Sequence, residues 1–114
     1  MKSVQGISEI VLWTRNIDLA LNFYRDLLDL TVISPTQIPN VFLEVGPGQA
    51  GIPQMIVLVP IPNEKKPQAS GLQLHHLAFE LTPENFDIQE QTLKNAGLEV
   101  RYGQHPVIPS RTMY

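Results

Sequence analysis

Two patterns of apolar and polar positions run along this chain, and they occur twice in the same order. Residues 8–14 read as a strand, because Val, Ile, Leu and Trp are enriched there. Ala20, Phe23, Tyr24, Leu27 and Leu28 then fall at helical spacing and form one apolar stripe. Asn16 stands where a helix cap belongs, since its side chain can accept a bond from a free N–H of the first turn. Asp18 favours the positive end of the helix dipole. The helix is expected to stop at Asp29, a residue type that tolerates left-handed backbone better than most. Strands are expected next at 31–34, 41–45 and 54–59, divided by Pro35, Pro39 and the Gly46-Pro47-Gly48 turn.

After residues 61–71, a linker holding Pro62, Pro67, Lys65, Lys66, Ser70 and Gly71, the pattern restarts. Residues 72–81 read as a strand. Thr82 caps a second helix with Pro83 at its first position, where the missing N–H costs nothing. Phe86, Leu93 and Ala96 mark a weaker stripe, and Gly97 supplies a left-handed end. Strands are expected at 98–102 and from Arg111 onward. Glu9 to Leu30 is 21 steps and His76 to Leu98 is 22, so the chain carries an internal repeat. Repeat one covers about residues 5–60 and repeat two about 72–114, the second being incomplete.

Alternation along a strand assigns faces. Ile10 and Leu12 share the face that packs under the first helix, with Phe23 and Leu27 expected to be buried against it. Glu9, Val11 and Trp13 take the opposite face. In the second repeat Leu77, Phe79 and Leu81 form the apolar face, while Leu74, His76, Ala78 and Glu80 take the other. Glu9 and His76 thus hold equivalent places in the two repeats. A carboxylate and an imidazole are natural ligands for a first-row divalent metal. Two are fewer than the three protein ligands a catalytic metal usually has. A lone carboxylate on a strand is as often merely solvated, and Trp13 is either core or a flat wall for a ligand. His75 has core-side parity, His105 lies in a loop beside Pro106, and Glu44 and Glu80 are expected to reach solvent at strand ends.

Composition narrows the function without naming it. The chain has 114 residues, no cysteine and a net charge of -3. That is one domain, without disulfides or a thiol nucleophile. Basic residues are scattered, with only Lys65-Lys66 adjacent, so no nucleic-acid stripe is present. No apolar run approaches the roughly 20 residues of a membrane span, and the N-terminus has no signal-peptide pattern. These features suit a cytoplasmic protein that meets small molecules or protein partners, with no nucleic-acid or membrane partner. Gly46-Pro47-Gly48 with Gly51 lacks the lysine and helix of a phosphate loop.

The stretch from Glu9 to Leu28, with Asn16, Phe23, Tyr24 and Leu28, resembles the opening of a vicinal oxygen chelate domain. This superfamily holds glyoxalase I, extradiol dioxygenases and bleomycin-resistance proteins. His76-Leu77-Ala78-Phe79-Glu80-Leu81 resembles its second opening strand, and Leu93, Ala96 and Gly97 match the close of its second helix. The resemblance implies an α+β fold of paired βαβββ modules forming an open curved sheet, here with the last strand missing after Tyr114. It implies metal ligands at Glu9 and His76, and a ligand-binding wall at Trp13, Val57 and Glu80. A divalent ion (Mn, Ni, Zn or Fe) is the implied cofactor, and a homodimer the implied assembly.

Departures from the family pattern are specific. The first ligand is commonly His or Gln and here is Glu9. The glyoxalase glutamate of the fourth strand matches Val57, which cannot bind metal. The last glutamate would follow Tyr114. One expected function is therefore a metal-dependent lyase, isomerase or dioxygenase acting on a small oxygen-rich substrate. The alternative is a metal-free small-molecule binder of the bleomycin-resistance type. A third is a member whose short end is partnered by another chain.

Overall fold

The structure, a computed structural model, describes residues 6–48, 51–62, 74, 76–107 and 109–114. His75 and most of the 61–71 linker lie outside them. The chain divides into two units, Met1–Gly71 and Leu72–Tyr114.

In the first unit β1 (Glu9–Thr14) leads into α1 (Ile17–Leu21), then β2 (Thr31–Val32), β3 (Val41–Gly46) and β4 (Gln54–Pro60). The four strands form one sheet in the order β1-β4-β3-β2. β1 runs parallel to β4, and the other neighbours are antiparallel. The order of elements is βαβββ, so the last strand returns to ladder the first. Asn16 caps α1 as expected: its Oδ1 accepts from the Leu19 N–H at 3.0 Å.

The helix does not continue as a regular α-helix. Asn22–Leu27 is wound as a π-helix, with the Leu28 N–H bonded to the Phe23 carbonyl at 3.0 Å. The Leu30 N–H closes on the Tyr24 carbonyl at 3.0 Å, and between them Asp29 takes φ 60. The stop is where the sequence placed it, in the left-handed conformation aspartate tolerates. Phe23 and Leu27 are half-buried rather than buried, because the wider winding turns the stripe away from pure α-helical spacing. Phe23 meets Tyr24 edge to face, with ring centroids 5.1 Å apart.

Leu43, Ile56 and Leu58 are buried on one side of the sheet, and Val57 is buried on the other. Register places Leu43 beside Ile56, Ile56 beside Ile10, and Leu58 beside Leu12 and Val41. Partners in register point to the same face, so these residues share the side that Ile10 and Leu12 were expected to hold. Strand 31–34 is shorter than expected. The strand is assigned to Thr31 and Val32; the Ile33 N–H still bonds the Phe42 carbonyl at 2.9 Å, and Ser34 accepts the Phe42 N–H through its Oγ at 3.0 Å.

The second unit holds α2 (Pro83–Asn95), β5 (Tyr102–Gln104) and β6 (Arg111–Met113). Thr82 caps α2, its Oγ1 accepting from the Asn85 N–H at 3.2 Å, with Pro83 in the first turn. Gly97 takes φ 84 just past the helix end. β5 and β6 pair as an antiparallel ribbon, and Arg101 and Tyr114 exchange backbone bonds of 2.8 and 2.7 Å beyond it. Phe86 is the buried residue of α2, and the Arg111 guanidinium lies over its ring at 4.2 Å.

Two expected strands of this unit differ. The segment 98–102 forms its ladder later, at Tyr102–Gln104, because Arg101 is the first residue with a bonded neighbour across the ribbon. The expected strand at 72–81 is not formed among its described residues, 74 and 76–81. Here the reason is topological. In the first unit β1 is laddered solely by β4, the third strand after the helix. Among the described residues of the second unit, two strands follow the helix and no counterpart of β4 is present. Among the described residues the segment forms no ladder like that of β1 with β4. Its apolar face is correspondingly uncovered: Leu77 is half-buried, and Phe79 and Leu81 remain exposed.

Candidate functional site

The exposed side of β1 holds the site candidates of the first unit. Glu9, Val11 and Trp13 are all exposed, whereas Ile10 and Leu12 are half-buried on the other side. Trp13 retains 61% of its surface. An indole this open is unusual for a residue that buries large apolar area when it serves as core. Trp13 is therefore not a core residue of this sheet.

Register extends this face across the sheet in rows. Glu9 stands beside Met55, and Met55 beside Glu44, with Thr31 beyond. Val11 stands beside Val57, and Val57 beside Phe42; Trp13 stands beside Val59. Glu44 was expected to reach solvent at a strand end. It is half-buried and shares a row with Glu9, two strands away. Val57 sits at the middle of the face and is only 2% exposed, so it is a floor between Val11 and Phe42. The pairing of Glu9 with Glu44 escaped sequence reasoning, because parity assigns a face within one strand but says nothing of register between strands.

In the second unit His76 and Glu80 are both exposed on the stretch before Thr82. The ring of Tyr114 stands edge-on to His76, with centroids 6.4 Å apart. His105 is exposed in the loop after β5, and its Nδ1 accepts from the Val107 N–H at 3.1 Å. On the surface of α2, Tyr102 donates to the Glu90 carboxylate, and Lys94 lies 5.7 Å from the Tyr102 ring centroid. This group joins α2 to β5 and carries no cleft of its own.

A divalent ion has to be tested against these donors. Among the described residues no three His, Asp or Glu side chains come together as a set that could hold a metal ion. Val57, on β4 between Val11 and Phe42, offers only a hydrocarbon. The described donors do not make a full metal site.

Against known proteins, the architecture is decisive where the sequence is too distant. No protein-family model matches the chain, and no curated protein matches it. Solved structures do. A lactoylglutathione lyase from Agrobacterium tumefaciens is 22% identical, with 92% of this chain and 81% of that one covered and a TM-score of 0.65. This chain has the glyoxalase-like fold. A protein of the mobile metagenome of V. pseudocholerae shares the glyoxalase-like fold at 18% identity, covering 100% of this chain and 87% of that one with a TM-score of 0.69. A mutant of the fosfomycin resistance protein FosX from Listeria monocytogenes, complexed with Mn(II) and dihydroxypropylphosphonic acid, is 19% identical. It covers 100% of this chain and 85% of its own, with a TM-score of 0.59. The glyoxalase-like fold explains the repeat: the first unit contains one complete βαβββ module, and the second repeats its opening strand region, helix and next two strands. No helix among the described residues is long and apolar enough to cross a membrane.

Proposed function

We propose that this chain is a small-molecule-binding domain of the glyoxalase type, with its ligand held on the exposed face of β1. The observation that carries the reading is Trp13, open to solvent on the same face as Glu9 and Val11. An indole and a valine offer apolar contact, and the carboxylate two positions further along the face fixes orientation. Concave apolar surface with a few placed polar groups is the usual make-up of a small-molecule site. Val57 closes the floor between Val11 and Phe42, and Glu80 is a second carboxylate for a ligand of the other repeat.

A second reading is a metal-dependent lyase, isomerase or dioxygenase. It is favoured by the FosX structure with Mn(II) and by the sequence equivalence of Glu9 and His76, which are then the proposed donors. The binding reading is preferred because the described donors do not make a set of three.

Calorimetric titration with manganese, nickel and zinc separates the two. Weak, non-stoichiometric heats unchanged by Glu9→Gln or His76→Ala are expected. Tight one-to-one binding that either substitution abolishes would establish the metal-dependent reading instead. A screen of small molecules by Trp13 emission then tests the binding face, since Trp13 is the only tryptophan of the chain. A screen in which no ligand perturbs that emission would reject the face.

A further inference from the structure

The face that holds Trp13 has two chemically different ends, and register defines both. At one end Glu9 and Glu44 flank Met55 in a single row across three strands. Neighbouring strands are about 4.8 Å apart, so the two carboxylate-bearing backbones lie roughly 10 Å from one another, with a thioether between them. At the other end Trp13 and Val59 form a row, and Val11, Val57 and Phe42 form the row between the ends. Glu9 and Trp13 are four residues apart along one strand, a separation of about 13 Å. Among these positions on the face, no lysine, arginine or histidine is present.

We propose that the ligand of this face is an amphipathic organic cation: a protonated or quaternary amine joined to a flat or apolar body. The proposal rests on the binding reading above and narrows it to a ligand class. Charge complementarity selects the occupant. A cation placed between Glu9 and Glu44 gains from both, whereas an anion meets two like charges with no basic group among these positions to offset them. The methyl or methylene groups around an ammonium nitrogen suit the polarizable sulfur of Met55. The apolar body then lies along Val11 toward the indole, which binds flat rings and hydrocarbon alike. A phosphonate or carboxylate ligand held directly by the protein is disfavoured by the same arrangement.

Three probes of matched length test this by Trp13 emission: phenylbutyl-trimethylammonium, phenylbutanol and phenylbutane sulfonate. The ammonium is expected to bind saturably and about tenfold tighter than the alcohol, and the sulfonate not to bind. Glu9→Gln and Glu44→Gln should each weaken the ammonium more than the alcohol, narrowing the gap between them. Unchanged far-ultraviolet dichroism and melting temperature in both variants confirm that the sheet is intact. Equal affinity for ammonium and alcohol, or ammonium binding insensitive to both substitutions, would overturn the cation assignment while leaving the binding face standing. Preference for the sulfonate overturns it as well. Silence with all three probes removes the binding face itself, and this inference with it.

Discussion

The ring of Tyr114 stands edge-on to the imidazole of His76, with centroids 6.4 Å apart and planes at 85°. Tyr114 is itself held by two backbone bonds to Arg101, so its ring is carried by the β5–β6 ribbon. The close approach has a cost elsewhere. A Cβ added at Gly103 would come within 2.8 Å of the Tyr114 ring, so glycine is what lets the ring lie there. Tyr114→Ala should therefore move the His76 imidazole resonances while those of His105, bonded locally to Val107, move less. Gly103→Ala should shift the same His76 signals by pushing the ring aside. Unmoved His76 resonances in both variants would show that the contact is not formed in solution.

Two left-handed positions end the two helices, and both should be weakened by alanine. Gly97 has φ 84 with nothing within 4 Å of an added Cβ, so any cost of Gly97→Ala is backbone strain. That cost is expected to be about 1 kcal/mol. Asp29, at φ 60, should likewise lose about 1 kcal/mol on change to Ala, and stay within about 0.5 kcal/mol of wild type on change to Gly. Urea denaturation midpoints measure all three, and a neutral Gly97→Ala contradicts the assignment.

Alkaline pH should weaken the first unit through Tyr24. Burial raises its phenol above the ordinary value of 10.0. A folded-state value above the unfolded one means that the stabilisation is fully present below the unfolded value and is lost as pH rises through the folded value. Wild-type melting temperature should thus fall more steeply above about pH 10 than that of Tyr24→Phe. Parallel curves for the two proteins would place the ionisation elsewhere.

Arg111 joins β6 to α2 in two ways, through the face of Phe86 at 4.2 Å and through Asp87 at 2.8 Å. Both ionic partners are largely exposed, so the ion pair contributes little and the stacking contributes most. Arg111→Ala should cost about 1 kcal/mol and Asp87→Asn much less. Arg111→Lys, which keeps the charge and loses the planar stack, should fall between. If Asp87→Asn is as costly as Arg111→Ala, the ion pair dominates instead.

Assembly follows from the uncovered residues before α2. Leu74, Phe79 and Leu81 are exposed on a stretch that is not in a strand. Exposed apolar side chains beside unladdered backbone favour association with another chain. A symmetric homodimer is the expected state, read as twice the 12.8 kDa chain mass by light scattering at micromolar concentration. A clean monomer under those conditions excludes it, and Phe79→Ser should shift the dimer toward monomer.

Much of this was written locally in the chain. Asn16 and Thr82 cap the helices because their own side chains reach the first-turn N–H groups. Asp29 and Gly97 end them because their own backbones accept left-handed conformation. The exposed face of β1 follows from alternation within a single strand, so Glu9, Val11 and Trp13 could be grouped without any partner. What depended on a distant segment was not legible. Glu9 shares a row with Glu44 only because β4 lies between their strands in one particular register, which no single strand specifies. Residues 76–81 have the composition of a strand, yet a strand exists only when a neighbour supplies its ladder, and among the described residues of that unit none does. Local capping, turn and face choices are made by side chains acting on their own backbone; register and ladder are made by pairing, and pairing is decided in the tertiary structure.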